Sequence, residues 1–407
     1  MTGFSIAAVG DVAMLHRPGS DLFRTGWDSA DLRIANLEAP LCTGGTPAPK
    51  LIRLQSPPEA AEWLRSDLGC EVVSLANNHI MDWGAPGLDS TLEALDRRDV
   101  AYAGAGANSA EAGKHRLLRV NDWRVAFLSW ACTVPLGFRA TADQPGLAAI
   151  RVRTSYAADP MLIDEQPGTP PWVHTEVWPE DVAAIEEALR AARSESDFVV
   201  LAIHWGVPPQ WQSSFQGPLA EYQEALAPRL VAAGADLVLG HHAHTVYGVE
   251  AFERDGASQG LVCYSLGNYI FHPLASRPEV RPTSRFSADD AVGRSSCDRL
   301  RLGPAWQQGL SAGAPGAALE APSRPYHAAE LPNNRDSFNA TFSIDRGPDG
   351  RLAVCEARLF PSVLNEAWEA CAAADDRRMA IVDRVREFSS WRQTRTADED
   401  GTVVWRA

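Results

Sequence analysis

Phe198–Gly206 reads FVVLAIHWG and Leu237–His244 reads LVLGHHAH. In each, an apolar run of strand length gives way abruptly to histidine, at His204 in the first and within Gly240-His241-His242-Ala243-His244 in the second. A short run that is apolar throughout and bounded by turn residues reads as a buried strand. Two helices accompany these strands. Pro179–Ser194 (PEDVAAIEEALRAARS) has proline near its start, acids in its first turn and arginines in its last, the distribution a helix dipole favours. Leu219–Ala233 is the second helix, between the two strands.

The same alternation extends toward the N-terminus. Phe4–Val9 (FSIAAV) is a strand ending in Gly10-Asp11, Leu32–Leu37 (LRIANL) a strand before Glu38, and Val72–Leu75 a strand before Ala76-Asn77-Asn78-His79. Pro58–Leu68 has helical spacing, with Ala61, Leu64 and Leu68 on one face, and Leu88–Arg97 reads as a helix after Gly84 and Gly87. Val100–Ala103 and Val125–Trp130 are further strands, and Leu261–Leu266 precedes Gly267-Asn268-Tyr269. Residues 136–178, rich in Pro, Gly and Thr, are expected to form a long loop over the core. Residues 274–337 lose periodicity and read as an irregular insertion or lid. Phe338–Ile344 and Leu352–Leu359 then form a hairpin across Gly347-Pro348-Asp349-Gly350, and Ala373–Ser390 a terminal helix. The expected class is an α/β layered sandwich with some antiparallel edge. Residues 1–273 would be the catalytic domain, 274–337 its insertion, and 338–407 the segment that completes it.

Bulk properties narrow the function. The chain has 407 residues, 45% hydrophobic and 22% charged, the profile of a soluble globular protein. Its net charge of −15 repels a phosphate backbone, so nucleic acid is not an expected partner. A small anionic substrate stays compatible, because bound divalent cations reverse the local sign. The N-terminus has no basic region before its apolar run, and no window is long enough for a membrane helix. Seven cysteines, dispersed and without a CxxC pair, suit a reducing cytoplasm rather than a disulfide framework or a zinc-cysteine module.

The chemistry collects at strand ends. Asp11, Glu38, Asn78, His79, His204, His242 and His244 all stand where an apolar run gives out, and α/β proteins gather ligands at the carboxyl ends of strands. One such residue is ordinarily a turn, a cap or a satisfied core histidine; the coincidence at five successive strand ends is not. Carboxylate, amide oxygen and imidazole together suit one or two divalent metal ions such as Mn, Fe or Zn. Glu38, following a hydrophobic strand, would otherwise be a buried charge without compensation. Lys50 and Arg53 follow it and are either exposed charges or the clamp for a carboxylate or phosphate. Trp205, Trp211 and Phe215 flank His204 and either line a pocket or pack in the core. His16, His115, His174, His272 and His327 fall outside the pattern.

These residues resemble a known family. Gly10-Asp11, Asn36-Leu37-Glu38, Ser74-Leu75-Ala76-Asn77-Asn78-His79 with Asp82 and Gly84, His204-Trp205-Gly206, Gly240 through His244, and Tyr264 through Asn268 match, in order, the capsule-synthesis CapA (poly-γ-glutamate biosynthesis) family of the calcineurin-like metallophosphoesterase superfamily. The resemblance covers roughly residues 4–273. It implies a four-layer αββα sandwich with a two-metal site. It also implies Asp11 and His244 as ligands of a first metal, Glu38 as the bridging carboxylate, and Asn78, His204 and His242 as ligands of a second. His79 would be the non-ligand histidine that protonates the leaving group, and Asp82 would orient it. The sequence departs from the superfamily at Asp11-Val12-Ala13, where Asp-x-His is common, so the first metal lacks an imidazole.

The expected function is therefore a metal-dependent hydrolase acting on a phosphoester or amide bond of a small anionic or peptide-like substrate. A second reading is an amide-forming or processing factor in making poly-γ-glutamate, capsule or a specialised metabolite. Such members are expected to carry a membrane anchor; here the chain is either a soluble relative or has its anchor outside this sequence. A third reading, a non-catalytic metal-binding scaffold, leaves His79 and Asp82 without a purpose.

Overall fold

A computed structural model describes residues 3–50, 52–169, 171–208, 217–254, 258–272, 335–347 and 349–407. The described strands are, in chain order, β1 (Phe4–Ala13), β2 (Leu32–Leu37), β3 (Val72–Ser74), β4 (Ala101–Ala103), β5 (Ala105–Gly106), β6 (Arg116–Val120) and β7 (Trp123–Ala131). Then come β8 (Gly146–Leu147), β9 (Val152–Ala157), β10 (Trp172–Val177), β11 (Phe198–His204), β12 (Leu237–His241), β13 (Val249–Arg254), β14 (Ser258–Cys263) and β15 (Asn268–Phe271). The C-terminal part supplies β16 (Asp336–Arg346), β17 (Leu352–Leu364), β18 (Ala370–Ala372), β19 (Ala397–Glu399) and β20 (Thr402–Arg406).

The fold is mixed α/β with several sheets. In the larger, β1, β2, β3 and β4 run parallel, while β16 and β17 extend the other edge of β1 antiparallel. In the second, β7, β11, β12 and β14 are parallel, with β6 and β13 added antiparallel at the edges. Because side chains alternate along a strand, each sheet divides its residues between two cores. Ile6 and Ile34 of one sheet and Phe127, Val200 and Leu239 of the other share a single cluster. The opposite face of the first sheet (Ala7, Val9, Ala35) packs with Leu64, Leu88 and Leu95. The opposite face of the second (Leu128, Leu201, Val238) packs with Val182, Ile185 and Leu189 of helix Pro179–Glu195 and with Leu226 and Leu230 of helix Glu221–Ala233. Parallel strands covered on both faces leave their carboxyl ends as the open rim, which is where the polar residues stand.

Several elements differ from the sequence reading. Pro58–Leu68 is not one helix but a short turn, Ala60–Glu62, running into a π turn, Trp63–Asp67. The helix expected at Leu88–Arg97 begins earlier, spanning Gly84–Asp96. The stretch 136–178 is not a plain loop, for it contains β8, the hairpin β9–β10 and helix Pro160–Glu165. No residue of that hairpin is fully buried: β9 is exposed from Arg153 onward, β10 alternates exposed and half-buried residues, and cross-strand pairs such as Arg153 with Glu176 help to hold it. The expected C-terminal hairpin is present and longer, as β16 and β17, and the terminal helix is Asp375–Trp391. The irregular insertion lies outside the described residues apart from Arg335, Asp336 and Ser337. Among the described residues, no helix is long and apolar enough to cross a membrane.

Candidate metal centre

Asp11 sits near the end of β1, where pairing with β2 shifts register after Ala8. Gly10 makes this approach possible, since a Cβ there would meet the Gly267 carbonyl oxygen at 1.9 Å. Glu38 follows β2 directly, and its N–H donates to the Val12 carbonyl at 2.9 Å. Asn78 and His79 occupy the turn after β3, His204 ends β11, and His242 and His244 follow β12. The backbone at His242 and His244 is left-handed, with φ of 87° and 51°. Such a conformation costs a residue with a side chain about 1–3 kcal/mol, and it recurs at functional sites. Here it curls the segment so that the His242 ring lies 4.7 Å from that of His204 and 5.8 Å from that of His244.

The result is two buried groups that share one carboxylate. Glu38, His204 and His242 bring ligand atoms within 4.8 Å of one another, and so do Asp11, Glu38 and His244. Glu38 Oε1 lies 3.7 Å from His204 Nε2 and 3.6 Å from His244 Nε2. Asn78 Oδ1 is 2.9 Å from the same His204 nitrogen. The His244 Nδ1–H donates to Asn268 Oδ1 at 2.8 Å, which leaves Nε2 as the ring's lone pair. Asp11 Oδ2, both Glu38 oxygens and His242 Nδ1 are buried without a hydrogen-bond partner. Acceptors orphaned in this way are costly to bury, and a divalent cation among them removes the cost. The donor set, two carboxylates, an amide oxygen and three imidazoles, fits such an ion.

Electrostatics agree with that fit. Burial pushes the Glu38 carboxyl well above its ordinary range, and the Asp11 charge pushes it further. Burial also opposes ionisation of Asp11, yet contacts with His241 and His244 outweigh it and hold that carboxyl well below its usual value. Burial and then the neighbouring histidines drive His204 down, and the same two causes take His242 to about 3. His204 and His242 are thus neutral at physiological pH, the form that ligates metal.

Beside the two groups, His79 Nδ1 donates to Asp82 Oδ2 at 2.6 Å, and the Leu54 N–H reaches the same oxygen at 2.6 Å. Lys50 Nζ pairs with Asp82 Oδ1 at 2.7 Å, donates to the Asn78 carbonyl, and lies over the Phe138 ring at 5.3 Å. Burial, and after it the Lys50 charge, lowers His79 to about 4. Lys50 therefore faces Asp82 rather than solvent. Arg53 donates to the Ala48 and Lys50 carbonyls. Trp205 is fully buried, stacked on Tyr264 with its indole N–H on the Tyr264 carbonyl at 3.0 Å, so it is core and not pocket wall. Trp211 and Phe215 lie outside the described residues.

The sequence reading quoted Asn36 and Asn77 within the matching motifs but assigned neither a role. Asn36 donates to Asp11 Oδ1 at 2.8 Å and accepts from the Ser74 hydroxyl at 2.6 Å. Asn77 Oδ1 accepts from the His79 and Ile80 N–H groups at 3.1 and 3.0 Å and so fixes the turn that carries Asn78. The available signal was Asn36 itself, a polar residue inside the otherwise apolar LRIANL run. Of the histidines outside the pattern, His16 and His272 gather with Glu369 in a further cluster.

Fold and site together define a mixed α/β protein whose parallel strands deliver a buried histidine–carboxylate centre able to hold divalent metal. Residues 5–273 match the bacterial capsule synthesis protein PGA_cap family, and the chain belongs to it. It is 31% identical over 224 residues to a capsule biosynthesis protein CapA of Bacillus anthracis, a match covering 55% of this chain and 45% of that protein. It is 28% identical over 225 residues to a PGA biosynthesis protein CapA of Bacillus subtilis, covering 55% and 48%. An uncharacterized protein of Sinorhizobium fredii is 28% identical over 319 residues, covering 67% of each chain. The chain thus spans under half the length of the two Bacillus relatives.

Proposed function

We propose that this chain is a metal-dependent hydrolase that cleaves a phosphoester or amide bond in a small anionic or peptide-like substrate. The observation that carries the reading is the set of orphaned acceptors, Asp11 Oδ2, Glu38 Oε1 and Oε2 and His242 Nδ1, beside a histidine oriented by its own carboxylate. Asp11, Glu38 and His244 would hold one ion, and Glu38, Asn78, His204 and His242 another. When bound, such ions polarise the scissile group and lower the pKa of water. The neutral His79 ring, with its Nδ1–H on Asp82, keeps Nε2 free to take a proton from the attacking water and return it to the leaving oxygen or nitrogen. Asp82 stabilises the imidazolium formed in between. Lys50 is buried against Asp82 and balances its charge. With Ala13 in place of an imidazole, the chain would offer the first ion one ligand fewer than the second. In the same reading the two sheets and their helices form a four-layer αββα sandwich of the metallophosphoesterase type, completed by the C-terminal strands.

A second reading comes from the relatives, whose names place them in capsule and PGA biosynthesis. On that reading the same centre forms or processes amide bonds in an anionic polymer. Metal analysis with turnover assays on His79→Ala separates the possibilities. The hydrolase reading expects metal content near wild type and loss of about 10²–10⁴-fold in turnover on whichever phosphoester or amide is cleaved. Unchanged turnover in His79→Ala would remove the role assigned to that residue. A change in the length of glutamyl oligomers would favour the polymer reading, whereas metal bound without turnover on either class of bond would leave a scaffold.

A further inference from the structure

The centre contains one more histidine that neither group uses. His241, the last residue of β12, is 1% exposed, and both its ring nitrogens lack a hydrogen-bond partner. Its Nδ1 lies 3.3 Å from Asp11 Oδ1. Among the described residues, no group of three ligand atoms within 4.8 Å includes His241, so it is not placed to share an ion with Glu38 or His244.

The contact falls on one side of a divided carboxylate. Asp11 Oδ1 accepts from Asn36 Nδ2 at 2.8 Å and faces His241, whereas Oδ2 accepts no hydrogen bond and faces His244 Nδ1 at 3.2 Å. A carboxylate free to turn about its Cβ–Cγ bond would present either oxygen to the cavity. The Asn36 amide bonded to Oδ1, with the His241 ring packed against that same oxygen, fixes the carboxylate plane and leaves Oδ2 without a hydrogen bond. The aim of Asp11 carries unusual weight here. Ala13, two residues on along the same face of β1, offers no ligand atom and packs in an apolar cluster with Ala39 and Leu54.

We propose that His241 is a positioning residue: together with Asn36 it holds Asp11 from beneath and sets the metal affinity of the Asp11–Glu38–His244 group. The proposal rests on the metal reading above. It also explains why an imidazole is buried with its nitrogens poorly satisfied, a net cost to folding that the metal-free protein bears without return.

The test titrates metal-free wild-type chain, His241→Leu and His241→Gln with Mn²⁺ and with Zn²⁺ by calorimetry, counting sites and following thermal melting without metal. His241→Leu should weaken the first site by about 10–100-fold, the usual consequence of losing a partner behind a ligand, and leave the second unchanged. Its metal-free melting temperature should hold or rise, because leucine fills the space without buried polar atoms. His241→Gln keeps a donor toward Asp11 and should keep wild-type affinity. Wild-type affinity in His241→Leu would overturn the proposal, and so would a lowered metal-free melting temperature with both sites weakened alike, the mark of a merely structural role. A wild-type chain that binds a single ion, untouched by either substitution, would overturn it too. A wild-type chain that binds neither metal would overturn the metal reading itself.

Discussion

Two clusters of histidine and carboxylate flank the end of β1, and they differ in what their lone pairs meet. In the outer one, His272 Nδ1 accepts from the Leu15 N–H at 3.0 Å, so its Nε2–H donates to Glu369 Oε1 at 3.1 Å. The Gly19 N–H reaches both Glu369 oxygens at 3.1 Å, and the His16 ring stacks on His272 at 3.8 Å. A cation on His272 Nε2 would need the proton on Nδ1, where the Leu15 N–H already points. The outer cluster is therefore a clasp that fastens the segment after β1 to the segment around Glu369. In the inner centre, by contrast, Asp11 Oδ2, both Glu38 oxygens and His242 Nδ1 have no such partner. Residue type alone makes the two look alike; the hydrogen bonds supplied by the surrounding chain separate them.

Substitution at the shared carboxylate gives the sharpest contrast. Glu38→Ala removes a ligand from both inner groups and should lower bound metal more than tenfold by elemental analysis, with the folded state retained by circular dichroism. Metal content unchanged in Glu38→Ala would break the assignment of the inner centre. Glu369→Ala should do the reverse, leaving metal content at the wild-type level while stripping the Gly19 and His272 donors of their acceptor. Leaving such groups unpaired costs about 1–3 kcal/mol, measurable by chemical denaturation. A loss of metal in Glu369→Ala would show that the outer cluster also binds an ion.

The smallest expected effect is a pH dependence of the clasp. Burial, and then the neighbouring His16, lowers His272 below its ordinary value of 6.5. The folded protein then binds fewer protons at this position than the unfolded chain. The stability it contributes is complete above pH 6.5 and is lost as pH falls below that value. The stability difference between wild type and His272→Asn should accordingly be largest near pH 7.5 and shrink toward pH 5.5. A difference that grew on acidification would mean that His272 is charged in the folded state.

Much of the fold was legible because burial leaves a trace in sequence. Phe198–His204 is apolar up to its final residue and buried throughout, and the histidine that ends it stands out for that reason. The hairpin β9–β10 left a weaker trace, since none of its side chains is fully buried and only the half-buried Val173, Thr175 and Val177 of β10 mark an inward face. Trp205 and Lys50 misled for a related reason. An aromatic residue beside a ligand reads the same whether it lines a pocket or, as here, packs on Tyr264. A lysine after Glu38 reads as a free cation until Asp82 is found against it.

At the candidate metal centre, residue order alone sets the kinds of donor offered along the chain: Asp11, Glu38, Asn78, His204, His242 and His244, each released at the rim by an apolar strand that can go no further. Tertiary structure decided which of their lone pairs are left empty. Asn36 reaches Asp11 across 25 positions, Leu15 reaches His272 across 257, and Gly19 reaches Glu369 across 350. Hydrogen bonds act over about 3 Å of space and take no account of distance along the chain, so only the folded arrangement separates a satisfied clasp from a centre that wants a cation.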